Sequence, residues 1–409
     1  MKKAWLMAIV AICSGVVFAI SLFKVPPTMV LLMQEFNVSI AVIGLVMTAI
    51  AITSTVIALP GGAIMQKIGP KNMGLAAMAC TLIGNLIGTF SSNFSLLIFS
   101  RAIEGFGFGL ISLVVPTIIA AWFPAQKRGL PMAIWSLWVS IGMLIIFRMT
   151  NVIVPQFGWK GSWWLVTILF IIVGILFALI VRLPKEGEGA NEPKLEQGEK
   201  VSLLEGFKSP MAWLLAIIFI AFGWPCAAFS GFYSTFLQQA LGLDMAAANS
   251  IVSYATIGMI IGGILIGLLL NRIKNKNHGL VLIIIMALAA VFFYLQFEIK
   301  AVAILVPFVF ASGVIQQLIP PTIFTIAPTA AGSPERIAAT MGIISLGANL
   351  SGILSNTFTG PLVASFGGVW SKLSIFMLVI TLVGVVAAIV LNMLLSKNYK
   401  AQSKVNPQV

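Results

Sequence analysis

Charged and chemically reactive side chains are scarce in this chain of 409 residues. Only 9% of the residues are charged, whereas roughly 25% is usual for a soluble globular domain. The single histidine, His278, and the single aspartate, Asp244, cannot form the ligand clusters that zinc or iron sites require. Carboxylate pairs and nucleophilic triads also lack partners here. We therefore expect no enzyme activity, no metal and no other cofactor.

The cysteines point the same way. Cys13, Cys80 and Cys226 each lie inside an apolar stretch, and none has a partner at a paired spacing. That placement is typical of buried thiols and not of disulfides or metal ligands.

Apolar residues, in contrast, make up 60% of the chain, and its mean hydropathy is +1.08. A helix that crosses a bilayer needs roughly 20 apolar residues. Division of the chain at charged and turn residues predicts an all-α membrane protein with twelve transmembrane helices. The predicted spans cover residues 5–33, 40–64, 72–92, 95–122, 129–154, 161–183, 209–238, 246–271, 279–297, 301–329, 337–364 and 370–395.

Positive charge predicts the orientation of these spans. The formal net charge of +13 would by itself suit a nucleic-acid partner. An even number of spans, however, places both termini on one side, and most Lys and Arg residues fall there, which identifies that side as cytoplasmic. The opposite side holds only Lys160, Lys300 and Lys372. The basic composition thus reflects membrane topology, and we expect a lipid bilayer and no nucleic acid as partner.

A polar stretch rich in Glu and Lys separates the spans into two groups of six. It predicts a cytoplasmic linker between two bundles, and sequence blocks recur between the halves: Gly62–Ile68 matches Gly267–Ile273 in pattern. Parallel six-helix repeats of this kind are typical of transporters. The predicted parts are an N-terminal bundle, the linker, a C-terminal bundle and a cytoplasmic tail, over residues 1–183, 184–208, 209–396 and 397–409.

Two motifs carry a family resemblance. GGAIMQKIGPKN, between spans two and three, resembles the G-x-x-x-D-R-x-G-R-R signature of the major facilitator superfamily. RAIEGFGFG, in span four, resembles the R-x-x-x-G-x-G signature of the same superfamily. The resemblance implies two pseudo-symmetric six-helix bundles, a central cavity lined mainly by helices 1, 4, 7 and 10, and alternating access by rocking of the bundles. It also implies that the first motif gates transport, through Gly62, Gln66, Lys67, Gly69 and Lys71.

Departures from the family signatures bear on the gating motif and on the class of transporter. Gln66 stands where the superfamily has an aspartate that stabilises the outward-open state, and Pro70 stands where it has arginine. The antiporter signature of helix 5, G-x-x-x-G-P-x-x-G-G, is missing from residues 133–150. KVPP and WFPAQKRGLPMAIWSLW resemble bacterial anion carriers of the cyanate-transporter type. This resemblance implies the cytoplasmic membrane of a bacterium, and the distribution of Lys and Arg places both termini in the cytoplasm.

Lys24 and Arg148 are the candidates for charge pairing with a substrate. Lys24 lies too deep in span one to reach the outer surface, and Ser21 and Thr28 share its helix face. These residues either line a cavity or form a polar seam between helices. Arg148 in span five either faces the substrate or extends to the outer interface.

Arg101 and Glu104 are the candidates for proton coupling. They lie three residues apart in span four and can pair along the helix. Glu104 is the only carboxylate well inside a predicted span, and the pair is either static or discharged by protonation. Together with Lys24 and Arg148, it leaves an excess of positive charge in the N-terminal half, which favours an anion.

The C-terminal half offers polar and aromatic stripes in place of charge. Tyr233, Gln316 and Asn349 belong to stripes in spans seven, ten and eleven, which either contact a substrate or pack against other helices. Pro26–Pro27 in span one predicts a bend of the helix or freed carbonyl oxygens, and Trp224–Pro225 and Pro320–Pro321 predict helix breaks.

These features favour one function. We expect a monomeric secondary transporter that moves a small anion, such as an organic carboxylate, together with protons by symport. A multidrug proton antiporter of the same fold is the alternative, although the missing antiporter signature and the basic residues count against it. A membrane sensor or scaffold would predict an added soluble domain.

Overall fold

The computed structural model describes residues 2–184, 188, 209–333 and 336–405. Nearly all of the predicted linker, and the last four residues of the predicted tail, lie outside the described residues. Within them, all regular structure is helical, which confirms the all-α prediction.

The helices follow the predicted spans closely. In the first half they are α1 (Lys2–Phe23), α2 (Met29–Glu35), α3 (Ile40–Ile43), α4 (Leu45–Thr89), α5 (Phe94–Trp122), α6 (Gly129–Ser136), α7 (Trp138–Phe157) and α8 (Lys160–Ile180). In the second half they are α9 (Pro210–Leu241), α10 (Met245–Arg272), α11 (His278–Leu295), α12 (Val302–Ala331), α13 (Ile337–Ser365) and α14 (Ser371–Val405). Single 3-10 turns occupy Pro26–Thr28, Ala125–Lys127 and Asn275–Asn277.

The described residues contain ten helical stretches that are long and apolar enough to cross a membrane. One of them, Ile40–Thr89, holds two spans, because Gly69 interrupts its helical backbone with a φ of 76°. A positive φ of this kind favours glycine, and Pro70 then begins the next helix with the φ that proline prefers. This division gives eleven spans among the described residues, and the 29-residue helix α13 covers the remaining predicted span.

The three predictions that rest on proline have different outcomes. Helix α1 ends at Phe23 and the 3-10 turn Pro26–Thr28 follows, so the first prediction is confirmed. The other two are wrong, because α9 runs through Pro225 and α12 runs through Pro320–Pro321 without interruption. Transmembrane helices tolerate proline where neighbouring groups and small backbone adjustments satisfy the carbonyl oxygens that it frees.

The chain divides into two compact units. The first comprises Met1–Leu195 and Leu237–Ser253, and the second comprises Glu196–Phe236 and Tyr254–Val409. Side-chain amides hold the segment Leu237–Ser253 within the first unit. Asn249 Nδ2 donates to the carbonyl oxygen of Pro27 and to Asn151 Oδ1, both at 3.2 Å.

Glycines allow the helices of the first unit to pack closely. A Cβ at Gly105 of α5 would lie 2.6 Å from the carbonyl oxygen of Ile50, in the part of α4 before Gly69. A Cβ at Gly107 would meet the carbonyl oxygen of Ala77, in the part after Gly69. The two glycines of the R-x-x-x-G-x-G motif therefore let α5 lie against both halves of α4, as small residues do at transmembrane helix interfaces.

The rare residues Asp244 and His278 cap the two ends of α10. Asp244 Oδ1 accepts a hydrogen bond of 2.7 Å from the backbone N–H of Ala247, as an N-cap side chain does. His278 Nε2 lies 3.3 Å from the carbonyl oxygen of Leu270 and 3.2 Å from that of Ile273. Because carbonyl oxygens only accept, Nε2 carries the proton, and both residues have structural roles.

Gly105→Ala should destabilise the protein by about 1–3 kcal/mol, because its methyl group would overlap the backbone of Ile50. Gly352→Ala in α13 is the matched control, since the added Cβ would meet no atom outside its own helix within 4 Å. Thermal unfolding in detergent should show a lower melting temperature for the first variant only. Equal melting temperatures for the two variants would contradict this account of the packing.

Candidate substrate and proton site

Lys24, Arg101 and Glu104 form a charge cluster in the first unit, and all three side chains are fully buried. Lys24 Nζ donates to Glu104 Oε1 at 2.8 Å and to Oε2 at 2.9 Å. Arg101 Nη1 donates to Glu104 Oε2 at 2.6 Å. The structure thus contains the Arg101–Glu104 pair that the spacing predicts, and it adds Lys24, the residue that follows α1, as a third member.

The break in α1 explains how Arg101 docks on that helix. The carbonyl oxygen of Leu22 has no helical donor, because the residue four positions later is Pro26, which lacks an N–H. Arg101 Nη2 donates to that oxygen at 3.0 Å, and Arg101 Nη1 donates to the carbonyl oxygen of Ser21 at 2.9 Å. The guanidinium group therefore satisfies the end of α1 and the carboxylate of Glu104 together.

Ser21 and Thr28 have different roles, although they share the helix face of Lys24. The hydroxyl of Ser21 donates to Glu104 Oε2 at 2.6 Å and belongs to the cluster's surroundings. The hydroxyl of Thr28 donates to the carbonyl oxygens of Lys24 and Val25, at 2.9 and 3.2 Å. Thr28 therefore stabilises the 3-10 turn and directs its hydroxyl proton toward the backbone.

The cluster carries two positive charges and one negative charge, so its formal charge is +1. Among the described residues, two buried nitrogens at the cluster lack a hydrogen-bond partner: Nε of Arg101 itself and Nε1 of Trp163. The Trp163 ring centroid lies 4.8 Å from Lys24 Nζ. Both nitrogens are donors only. An excess of positive charge with unpaired donors is complementary to a ligand rich in acceptors, such as an anion.

Asn85 is a contact of the cluster that the sequence analysis missed. It is fully buried in α4, and its Oδ1 accepts a hydrogen bond from Lys24 Nζ. The only signal in the sequence is a lone amide within the apolar run of span three. Such an amide equally suits ordinary helix packing, so the pattern alone does not single it out.

The other predicted substrate residues belong to α7, α9, α12 and α13. Arg148 is half-buried in α7 of the first unit. In the second unit, Gln316 accepts from Cys226 Sγ at 3.0 Å and donates to Ser312 Oγ at 2.9 Å. Tyr233 is buried and stacks on Phe229, with ring centroids 4.6 Å apart. Asn349 is exposed on α13.

The predicted gating residues surround the break in α4. Gly62, Gln66 and Lys67 are exposed on the segment before Gly69, and Gly69 itself forms the break. Lys71 Nζ donates to the carbonyl oxygen of Ala178 at 2.7 Å, near the end of α8. A cation at the carboxyl end of a helix is favourable, so Lys71 connects the beginning of span three to the end of span six.

Comparison with known proteins decides the family. The model of the Major Facilitator Superfamily matches residues 7–356. The chain belongs to this superfamily. It is a multi-pass membrane protein, with the fold that the sequence analysis predicts.

Individual relatives are distant. The chain is 25% identical over 258 residues to the membrane sensor protein UhpC of Salmonella typhimurium, a match that covers 58% of this chain and 57% of UhpC. It is 21% identical over 268 residues to the probable sulfoacetate transporter SauU of Cupriavidus necator, which covers 61% of each protein. A crystal structure of the nucleoside transporter NupG superposes with a TM-score of 0.77 at 15% identity, covering 95% of this chain and 99% of NupG. The chain thus spans less than two thirds of the length of each of these two relatives, and neither is named as an enzyme.

The charge cluster predicts an order of stability for two substitutions. Glu104→Gln leaves Lys24 and Arg101 as unpaired buried cations, and it should lower the free energy of unfolding by about 3–5 kcal/mol. Lys24→Met leaves the Arg101–Glu104 pair intact and neutral, so it should destabilise less. Melting temperatures of both variants, measured in the same detergent without added anions, test the order. A Lys24→Met variant that melts below Glu104→Gln would show that the excess positive charge does not control stability.

Proposed function

We propose that the protein is a monomeric secondary transporter that moves a small anion together with a proton across the cytoplasmic membrane of a bacterium, by alternating access. Both termini lie on the cytoplasmic side in this proposal. The observation that carries it is the burial of Lys24 against Glu104, with Arg101 as the second cation. Glu104 acts in this arrangement as an internal anion that a substrate can replace.

Protonation of Glu104 is the step that makes the replacement possible. Glu104 Oε2 accepts hydrogen bonds from Lys24, Arg101 and Ser21, whereas Oε1 accepts from Lys24 alone. A proton therefore meets fewer competing donors at Oε1. Once it is bound there, the carboxyl group no longer attracts Lys24, and the ammonium group can pair with an anionic group of the substrate.

Competition between Glu104 and the substrate anion for Lys24 favours symport over the uptake of an anion alone. The empty cluster has a formal charge of +1, from two cations and one carboxylate. A monovalent anion and one proton together leave that formal charge unchanged. Entry of the anion alone would place it beside the ionised Glu104, which already pairs with Lys24, and the repulsion between two anions in an apolar interior is costly. We therefore propose one proton for each monovalent anion.

The cluster gives less support to efflux of a cationic drug. The carboxylate that would attract such a drug is already paired with two cations, Lys24 and Arg101. Of the relatives, SauU is named for sulfoacetate, which is an organic anion, and UhpC is named as a sensor. A sensor would bind a ligand at such a site without transporting it, so binding and transport have to be measured separately.

Anions and amines of matched size should have opposite outcomes in a ligand-stabilisation screen on the purified protein. Small carboxylates, sulfonates and inorganic anions should raise the melting temperature, and the matched amines should not. At pH values where Glu104 is ionised in the empty site, the affinity for the anion should fall about tenfold for each unit that the pH rises, because one proton binds with each anion. In Glu104→Gln, which resembles the protonated state, anion binding should be independent of pH.

Transport is tested in proteoliposomes with a trapped pH dye. An inward gradient of the stabilising anion should acidify the lumen with the wild type and not with Glu104→Gln. Lys24→Met should lose anion binding, whereas Lys160→Met, which removes an exposed cation at the start of α8, should bind normally. Stabilisation by amines alone would favour the efflux antiporter, and binding without uptake would favour a sensor.

A further inference from the structure

The amide of Asn85 has a fixed orientation. Its Nδ2 donates to the carbonyl oxygen of Trp163 at 2.9 Å and to Thr167 Oγ1 at 2.6 Å. The carbonyl oxygen of Trp163 can only accept a hydrogen bond. Thr167 Oγ1 uses its own proton in a 3.0 Å bond to that same carbonyl oxygen, so toward Asn85 it acts as an acceptor. Both N–H groups of Asn85 therefore face α8, and Oδ1 faces Lys24.

Asn85 supplies the one neutral acceptor among the hydrogen-bond partners of Lys24. The three protons of an ammonium group match the three acceptors at Lys24 Nζ, namely Glu104 Oε1, Glu104 Oε2 and Asn85 Oδ1. When Glu104 takes up a proton, the carboxyl group loses its negative charge and one of its two oxygens becomes a hydroxyl donor. The amide oxygen of Asn85 does not titrate, and its orientation is held from α8.

We propose that Asn85 is the positioning residue that holds the Lys24 ammonium group in place while its other partner changes from Glu104 to the substrate anion. Because its amide is neutral, protonation of Glu104 alone frees Lys24 for the substrate anion. This inference rests on the proposed function, because it assigns a role within anion and proton symport. Asn85 donates hydrogen bonds to α8 and accepts one from Lys24, the residue that follows α1, and so it connects these two parts of the first unit.

Asn85→Asp is the sharpest test, because it keeps the shape of the side chain and adds one negative charge beside Lys24. The variant then has two carboxylates beside Lys24, and the substrate anion can pair with Lys24 only after both have taken up a proton. The affinity for a stabilising anion should fall about a hundredfold for each pH unit in this variant, against about tenfold in the wild type. Titrations with the same carboxylate or sulfonate at several pH values, with melting temperature as the readout, measure both slopes.

Two further substitutions distinguish the effect of an added charge from the effect of a lost or misplaced acceptor oxygen of Asn85. Asn85→Leu removes the acceptor without adding charge, so anion affinity should fall about tenfold or more while the pH slope stays at that of one proton. Thr167→Val removes one of the two acceptors that orient the amide, so it should weaken anion binding less than Asn85→Leu, again with an unchanged slope. A merely structural role for Asn85 would lower the melting temperature of these variants without changing the pH slope in Asn85→Asp.

The outcomes distinguish this inference from the proposed function. A wild-type protein that binds no anion, or binds one without a pH dependence, contradicts the proposed function itself. A wild type that behaves as proposed, with an Asn85→Asp variant of equal affinity and a one-proton slope, contradicts only the role of Asn85. If Asn85→Asp does not fold, wild-type affinity in Asn85→Leu would overturn the inference in the same way.

Discussion

A lysine, an arginine and a glutamate share one apolar interior, and their pairing constrains the helices around them. Buried charges are tolerated only when they are paired and hydrogen-bonded. Glu104 meets this requirement with three donors, from Lys24, Arg101 and Ser21. These side chains come from α5, from the last turn of α1 and from the residue after it, so the charge cluster requires the two helices to lie close together where α1 ends.

Two backbone features make that approach possible. Pro26 removes the N–H that would otherwise reach Leu22, and the freed carbonyl oxygen accepts from Arg101. Gly105 and Gly107 remove side chains where α5 meets the backbone of α4. The prolines in span one and the glycines of the signature motif are therefore parts of one arrangement, in which local backbone chemistry places α1, α4 and α5 around a carboxylate.

Much of the fold and part of the site could be predicted from the sequence. The spans follow from composition, because a bilayer requires long apolar helices and their ends carry charge and turn residues. The Arg101–Glu104 pair follows from a spacing of three residues on one helix. The contacts of Lys24 and Asn85 depend on how separate helices approach one another, which no local pattern encodes. The predicted breaks at Trp224–Pro225 and Pro320–Pro321 are wrong because neighbouring side chains and backbone adjustments can keep a proline-containing helix continuous.

Infrared difference spectroscopy of the carboxyl group tests the central claim most directly, since the account requires Glu104 to change protonation when an anion binds. Addition of a stabilising anion to the wild-type protein should produce the C=O stretching band of a protonated carboxylic acid and remove the bands of a carboxylate. The same addition to Glu104→Gln should produce neither change. An anion that binds to the wild type while Glu104 remains ionised would contradict the claim that the substrate replaces this carboxylate at Lys24.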